Sequence, residues 1–436
     1  MDDADLIIDA RWVIPVEPAQ QVLEQHAVVV KGGDIVEIGP STAIDARYPG
    51  APHIPLPEHV LIPGLVNLHT QAATSLMRGL VDERPSVERL RNPIRPIEMQ
   101  TVSHAFVRDG TLLACAEMLR GGVTCFNDAY FFPEAAAEAV VKAGMRASVG
   151  MLIMEIPSPY AADARDYLAK GLAMRDAFRD ESSLSFCMAP QGASNATLER
   201  IATYAAELDL PVHIRLHESR EEIRESLAAH DVRPLERMHR VGLLGPTLTA
   251  IHGVHFEVAE IDAIARHGCS VAHCASSDLR LGRGIAPVAA MLARGVNVGL
   301  GTGSAASNAR LDVLGEMRAA ALLAAGAHAG AAAVPAHATL HMATLAGATA
   351  LGLQQRIGSL TPGKRADMTA IRMSDIELTP VYDALTHLVY AAGREHVTHV
   401  WVGGELRVEN GALTGLDTRE LHLRAAHWRD RIRTSA

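Results

Sequence analysis

The run of residues 60–71, VLIPGLVNLHTQ, restricts the possible folds of this chain more than any other stretch. It is apolar on both faces of an extended chain, contains Pro63 and Gly64, and reaches His69 near its end. A strand without a polar face is buried on both sides, as in parallel sheets that are covered by helices. Barrels of the (β/α)8 type carry their active sites at the carboxyl ends of such strands. The run therefore predicts a first barrel strand with chemistry at its tip.

Seven more buried runs follow, and each leads into a helical pattern or a loop. They cover residues 122–128, 147–151, 184–190, 212–218, 248–253, 270–274 and 296–302. Eight strands that alternate in this way with helices or loops predict an α/β fold, the (β/α)8 TIM barrel.

Short β-rich runs lie at both ends of the chain. Each set alone has too few strands to be stable, which predicts that the two ends meet in one small β-sandwich. We expect a composite β-sandwich from residues 1–59 and 365–420, a barrel over 60–364, and a C-terminal helix or tail over 421–436. The tail is amphipathic and basic, and we expect it to dock on the body or on a second subunit.

Composition excludes several classes of protein. No apolar run reaches the roughly 18 residues that a membrane span requires, and the acidic N-terminus does not resemble a secretory signal. We therefore expect a soluble, cytoplasmic protein. A net charge of −10 without a long basic run argues against a nucleic-acid partner and favours a small-molecule ligand. The five cysteines form no C-x-x-C pair and are predicted to be buried thiols.

The phrase PGLVNLHT at residues 63–70 resembles the first barrel strand of the amidohydrolase superfamily. The resemblance covers almost the whole chain and is closest to the branch of S-adenosylhomocysteine and 5′-methylthioadenosine deaminases, which is related to the triazine hydrolases. Further phrases that resemble this branch occupy residues 77–79, 112–120, 126–132, 284–288 and 311–317. The family resemblance also implies a homodimer.

Members of that branch hold one zinc or iron ion with four ligands from three strand tips. Carried over to this sequence, the ligand positions hold His69, Gln71, Arg215 and Gly303, so one ligand of four is present. Four-ligand structural zinc sites in peptides bind with about 10–16 kcal/mol, and losing three ligands leaves millimolar binding at best. Arg215 also places a permanent positive charge where the cation would bind. We therefore expect no metal and no other cofactor, and no zinc-dependent deamination.

A metal site rebuilt from other histidines is a second possibility, but His213, His217, His255 and His273 show no ligand-like spacing. Strand alternation places His217 on the face of Arg215 and points Glu218 elsewhere.

Other residues that match the family's functional positions remain candidates for chemistry and binding. Glu218 is the strand 5 acid and His252 is the strand 6 histidine, and with His69 they are the catalytic candidates if the protein is active. They could equally be remnants of ancestry. The substrate-binding candidates are Gln71, Arg89, Arg95, Gln191, Arg215 and Ser304.

Arg215 needs an anionic partner if it is buried, since an unpaired buried charge is very costly. Glu218 could provide it in an internal salt bridge, or an anionic ligand could provide it, with Arg89, Arg91 and Arg95 at the rim of the barrel mouth. The loop arginines could also be a solvated surface.

Two classes of function stay open. The protein is either a catalytically silent binder of a nucleoside-like or acidic metabolite, or a metal-independent hydrolase of C–N or C–halogen bonds that uses Glu218 and His252.

Overall fold

The computed structural model describes residues 4–80, 94–327 and 334–435. Within these residues the strands, in chain order, are β1 Leu6–Val13, β2 Leu23–Lys31, β3 Asp34–Pro40, β4 His53–Pro63, β5 Leu65–Gln71, β6 Val123–Asp128, β7 Arg146–Ile153, β8 Leu184–Pro190, β9 Val212–Leu216, β10 Leu248–His252, β11 Ser270–His273, β12 Asn297–Leu300, β13 Gly303–Ser304, β14 Met368–Arg372, β15 Val397–Val402, β16 Glu405–Glu409 and β17 Ala412–Leu413.

The α-helices of the same residues are α1 Ser41–Arg47, α2 Arg95–Thr101, α3 His104–Arg120, α4 Pro133–Ala143, α5 Ala164–Ala177, α6 Asn195–Leu208, α7 Arg220–His230, α8 Pro234–Arg240, α9 Val258–His267, α10 Ala275–Arg280, α11 Val288–Ala293, α12 Ala305–Asn308, α13 Val313–Ala327, α14 Ala336–Ala343, α15 Leu345–Ala350, α16 Ala384–Tyr390 and α17 Thr418–Ser435. Short 3-10 helices cover Ala72–Met77, Ile376–Leu378 and Arg394–His396.

The described residues divide into two compact units. The first lies within Met1–Val66, Ala116–Cys125 and Asp312–Leu416, and the second within Asn67–Cys115, Phe126–Leu311 and Asp417–Ala436.

The first unit contains a sheet built from both ends of the chain. Its strand order is β17-β16-β15-β14-β4-β1-β2-β3, and its neighbours are antiparallel except for the parallel pair of β1 with β4. The N-terminal and C-terminal strands share one apolar core, in which Ile8, Val28, Leu61, Met368 and Trp401 are fully buried. The two ends therefore form one structure, as the fold class predicted.

The parallel sheet has the order β12-β11-β10-β9-β8-β7-β6-β5-β13. Because β12 and β13 are separated by two residues only, the two ends of this order are adjacent in the chain, and the sheet closes on itself. Two hydrogen bonds reinforce the closure: Asn67 Nδ2 donates to Thr302 Oγ1 at 2.8 Å, and Thr302 N donates to Asn67 Oδ1 at 3.0 Å. The predicted (β/α)8 barrel is confirmed.

Several predicted strands have different bounds in the structure, and two of these differences have a clear cause. The run 60–71 is two strands, since β4 ends at Pro63 and pairs with β14, and β5 begins only at Leu65. Gly64 forms the break, where a Cβ atom would lie 2.2 Å from Thr124 Oγ1. The predicted strand 212–218 ends at Leu216, because His217 takes a φ of 55° that no β-strand contains.

The remaining expectations concern smaller features. All five cysteines are buried and free, as predicted. The C-terminal helix α17 packs on the second unit, where Trp428 contacts Phe106 edge-to-face and its Nε1 donates to Asp109 Oδ2 at 3.0 Å. Within the described residues, no helix has the length and apolar character needed to cross a membrane.

Candidate active site

Three histidines from three barrel strands lie close together: His69 near the carboxyl end of β5, His252 at the carboxyl end of β10, and His213 at the second position of β9. His69 Nδ1 lies 3.3 Å from His213 Nε2, and the ring centroids of His69 and His252 are 5.9 Å apart. All three are at most 3% exposed. Burial, with nearby positive charge, lowers the pKa of His69 well below 6.5 and that of His213 to about 3. His69 and His213 are therefore neutral at physiological pH.

A cluster of charged groups surrounds His252. Its Nδ1 lies 2.8 Å from Asp278 Oδ1, and its Nε2 lies 3.6 Å from Glu218 Oε2. His252 ends β10 with a φ of 77°, a conformation that is uncommon for residues other than glycine and that occurs at functional sites.

Arg283 joins the same cluster from the loop after α10. Its Nη2 lies 3.0 Å from Glu218 Oε2, and its Nη1 lies 3.2 Å from both Asp278 Oδ1 and His252 Nε2. Burial alone would raise the pKa of Glu218, but the charges of Arg283 and Arg215 outweigh burial and lower it. Burial likewise raises the pKa of Asp278, and its contacts with His252 and Arg283 lower it below the usual value. Both acids are therefore carboxylates.

Arg215 differs from Arg283 in having no ion-pair partner among the residues that the structure describes. It is partly buried on β9, and within the described part of the chain its guanidinium forms no ion pair or hydrogen bond. Its charge nevertheless acts on the pKa values of His69, His213 and Glu218, so it lies beside the histidines. A positive charge beside neutral rings is available to a ligand.

The structure corrects the predicted orientation of Glu218. Because His217 leaves the extended conformation, the alternation rule stops applying after Leu216. His217 is buried away from Arg215, with Nε2 3.3 Å from Glu260 Oε1, while Glu218 enters the cluster of His252. The internal salt bridge of Arg215 with Glu218, one of the two expected outcomes, is also absent from the described ion pairs, since Arg283 binds Glu218 instead.

The other candidate binding residues lie in varied environments. Gln71 is partly buried at the end of β5 and pairs in register with Ser304. Ser304 is buried, donates to Thr74 Oγ1 at 3.0 Å and accepts from Ala306 N at 3.1 Å. Gln191 is exposed after β8, and Arg95 is exposed at the start of α2. Arg89 and Arg91 lie outside the described residues.

The residues at the implied ligand positions do not fit a metal ion. Arg215 brings a cation beside His69, and Gly303 has no side chain. Within residues 4–80, 94–327 and 334–435, no group of three or more His, Cys, Asp or Glu side chains is arranged to hold a metal ion. No step of chemistry can therefore be assigned to a metal with this donor set.

Sequence reasoning missed Asp278 and Arg283, which the structure places at the centre of the site. The only signal was the three charged residues of the run SDLRLGR, shortly after strand 7. It also missed Glu98 on α2, whose buried carboxyl accepts a hydrogen bond from Tyr130 Oη at 2.7 Å. Burial raises the pKa of Glu98, and the Tyr130 hydrogen bond and the charge of Arg215 lower it only in part.

The fold and the site together define a class: a (β/α)8 barrel with a second sheet from both chain ends and with histidines and carboxylates at the strand tips. Comparison with known proteins gives the family. The chain belongs to the amidohydrolase family, whose model matches residues 60–407.

Individual relatives lie in the predicted branch. A protein of Saccharophagus degradans named 5-methylthioadenosine/S-adenosylhomocysteine deaminase is 41% identical over 432 residues, which are 98% of this chain and 97% of the relative. The crystal structure of an adenosine deaminase from Xanthomonas campestris with bound zinc has a TM-score of 0.98 at 41% identity and covers 99% of both chains. An atrazine chlorohydrolase from Arthrobacter aurescens complexed with zinc has a TM-score of 0.90, covers 97% of this chain and 100% of that chain, and at 22% identity supports the fold alone. The resemblance stated from the sequence is confirmed.

Proposed function

We propose that this protein is a metal-free member of the amidohydrolase family that binds a small anionic, nucleoside-like metabolite at the barrel mouth. The observation that carries the proposal is the Arg215 guanidinium, which has no ion pair or hydrogen bond among the described residues. The carboxylate of Glu218, which could have neutralised it, is held by Arg283 instead.

Electrostatics favour an anion in this position. A guanidinium removed from water without a partner costs several kcal/mol. A carboxylate or phosphate offsets that cost by forming two parallel charge-assisted hydrogen bonds with the planar guanidinium. His69 and His213 are neutral and add no competing charge, and each can donate or accept one more hydrogen bond to a ligand.

The nucleoside-like part of the proposal comes from the relatives. Proteins that align over almost the whole of this chain carry the name 5-methylthioadenosine/S-adenosylhomocysteine deaminase. S-adenosylhomocysteine combines an adenosine with an amino-acid carboxylate, so it has both features that we assign to the ligand.

The test is thermal stabilisation by a panel of acidic and nucleoside-derived metabolites. A ligand at 100 times its Kd stabilises by about 2.7 kcal/mol, which raises the Tm by roughly 3 °C in a protein of this size. We expect at least one anion to do so with the wild type and none to do so with Arg215→Met. Arg200→Met removes an exposed arginine of α6 and is the matched control, with the wild-type response expected. If no anion raises the Tm, or if Arg215→Met responds like the wild type, the proposed pocket is wrong.

The second candidate is a metal-independent hydrolase. The observation in its favour is the chain of contacts from Asp278 to His252 to Glu218, in which a carboxylate orients an imidazole as in acid–base catalysis. Against it, Arg283 lowers the pKa of Glu218, which makes this carboxylate a weak base. Turnover of a panel of C–N and C–halogen substrates that disappears in Glu218→Gln would establish this function over the first.

A further inference from the structure

Three potential metal donors converge on one guanidinium in this site. Glu218 Oε2, His252 Nε2 and Asp278 Oδ1 lie 3.0, 3.2 and 3.2 Å from the terminal nitrogens of Arg283. The Arg283 side chain is 6% exposed, and those of His252 and Asp278 are 2% exposed. A carboxylate, an imidazole and a second carboxylate around one enclosed cation are the kind of donor set that catalytic zinc sites use.

The guanidinium is held mainly by charge. Although Arg283 Nη2 lies 3.0 Å from Glu218 Oε2, that oxygen has no hydrogen-bond partner of acceptable geometry, and neither do Asp278 Oδ2 and Arg283 Nε. In a bidentate arginine–carboxylate pair, two N–H groups of the guanidinium donate to the two oxygens of one carboxylate. Here one cation instead lies between donors from the turn after β9, the end of β10 and helix α10, as a metal ion lies between ligands from separate elements.

We infer that Arg283 is the resident cation of this site: its guanidinium occupies the point that a divalent cation would occupy between Glu218, His252 and Asp278. Arg283 is then a positioning residue that holds these groups together and keeps metal out, and Arg215 remains the cation that meets the ligand. The inference rests on the proposed metal-free function and extends it by naming the residue that fills the space between these three donors.

Removing Arg283 should therefore create a metal site. Metal–ligand bonds of about 2.0–2.2 Å require each donor to move inward by roughly 1 Å. His252 must also turn its ring so that Nε2 faces the ion, because Arg283 Nη1 lies 3.5 Å from Nδ1 and 3.2 Å from Nε2. We expect Arg283→Ala, freed of metal with a chelator and titrated with Co²⁺ or Zn²⁺ alone, to bind about one equivalent at least tenfold tighter than the wild type, a factor that direct titration resolves.

Three variants serve as controls. Arg283→Lys keeps a cation in place and should bind no metal. Arg283→Ala combined with Glu218→Gln lacks one donor and should lose the gained affinity. Arg294→Ala removes a surface arginine that pairs with Asp262 and should behave like the wild type.

The outcomes separate this inference from the proposed function. One equivalent of metal in the wild type would overturn both. Arg283→Ala that is folded by circular dichroism but binds metal no tighter than the wild type would overturn the inference alone. If Arg283→Ala does not fold, refolding with Zn²⁺ should restore its native spectrum and should not restore that of Arg283→Met, which fills the space without a charge. No difference between these two variants would also overturn the inference.

Discussion

Two arginines of the barrel mouth have opposite environments, and this difference determines what each can do. Arg283 faces two carboxylates and an imidazole, so its charge is satisfied within the chain. Arg215 faces the neutral imidazoles of His69 and His213 and has no ion pair among the described residues. Of these two guanidinium groups, only the second is without an ion pair in the described part of the chain, although its charge also acts on Glu218 and Glu98.

Asp128, at the end of β6, is a buried acid with one hydrogen-bond partner, the Ala72 amide N–H at 2.7 Å. Burial raises its pKa to about 7, and the amide lowers it only partly. The titratable groups whose pKa values respond to it are Cys115, Tyr130 and Cys187, which are neutral near pH 7. Among the described residues, therefore, no cation holds Asp128 in its charged form.

This environment predicts a pH dependence of stability. A carboxyl group with a pKa raised by folding binds more protons in the folded chain than in the unfolded chain, so its stabilising contribution is complete near pH 4 and is lost as the pH rises to 7. Asp128→Asn keeps a neutral acceptor for Ala72 N. We expect its unfolding free energy, relative to the wild type, to rise between pH 5 and 7 by an amount on the order of 2–3 kcal/mol, at 1.4 kcal/mol per pKa unit.

Denaturant unfolding at several pH values measures this difference. Asp180→Asn changes a carboxylate whose side chain is 95% exposed and should show no such trend. A flat difference for Asp128→Asn would mean that Asp128 is ionised in the folded protein.

At the scale of elements, β13 and its neighbours determine whether a metal ligand could be restored. Gly303 has a φ of 65°, and a Cβ atom there would lie 3.0 Å from Ser277 Oγ and 3.1 Å from Ser277 Cβ. Ser277 belongs to α10 and its hydroxyl lies 2.9 Å from Ser307 Oγ of α12. Helices α10 and α12 therefore occupy the space that a side chain at position 303 would need.

Gly303→Asp should therefore destabilise the protein without restoring metal binding. A left-handed conformation at a residue other than glycine costs about 1–2 kcal/mol, and the contact with Ser277 adds to that cost. Gly242→Asp is the matched control, because Gly242 has a φ of 77° with open space around it. We expect thermal denaturation to show a larger loss at position 303 than at position 242, and equal losses would show that the packing adjusts freely.

The end of β9 shows how one backbone angle redirects a site. The positive φ of His217 turns the chain so that Glu218 faces His252 and Arg283. Glu222 on α7 holds this turn by accepting from the amides of His217 and Glu218 at 3.1 and 2.7 Å. A period-2 pattern contains no information about such a turn, and the predicted orientation was wrong for that reason.

At the scale of the whole molecule, the chain aligns with its relatives over almost its entire length, while three of the metal-ligand positions that the family resemblance implies hold Gln71, Arg215 and Gly303. It is 41% identical to the Saccharophagus degradans deaminase over 98% of its length. Overall similarity alone would assign deamination to it. The residues Gln71, Arg215 and Gly303 argue for a different outcome, since none of them supplies the imidazole or carboxylate that a zinc or iron ion requires at those positions.

We expect the purified protein to contain far less than one zinc or iron per chain by elemental analysis. We also expect no ammonia release from 5′-methylthioadenosine or S-adenosylhomocysteine, because a metal-bound hydroxide is the nucleophile that such deamination requires. The Saccharophagus degradans relative, assayed in parallel, is the positive control. Ammonia release at about 1 s⁻¹, an ordinary enzymatic rate, or one zinc or iron ion per chain would contradict this prediction.

The sequence by itself determined the barrel, the sheet built from both chain ends, the family, and the identity of the residues at the ligand positions. These features depend on local patterns: strands that are apolar on both faces, the spacing of those strands along the chain, and the residues at their carboxyl ends. Only the tertiary structure decided which cation neutralises Glu218 and which stays free. That choice depends on the turn at His217 and on Arg283, a residue distant in the chain that reaches the cluster through the loop after α10. Charge pairing in a buried site is decided by distances of a few ångströms between such residues, and no periodicity of the chain encodes them.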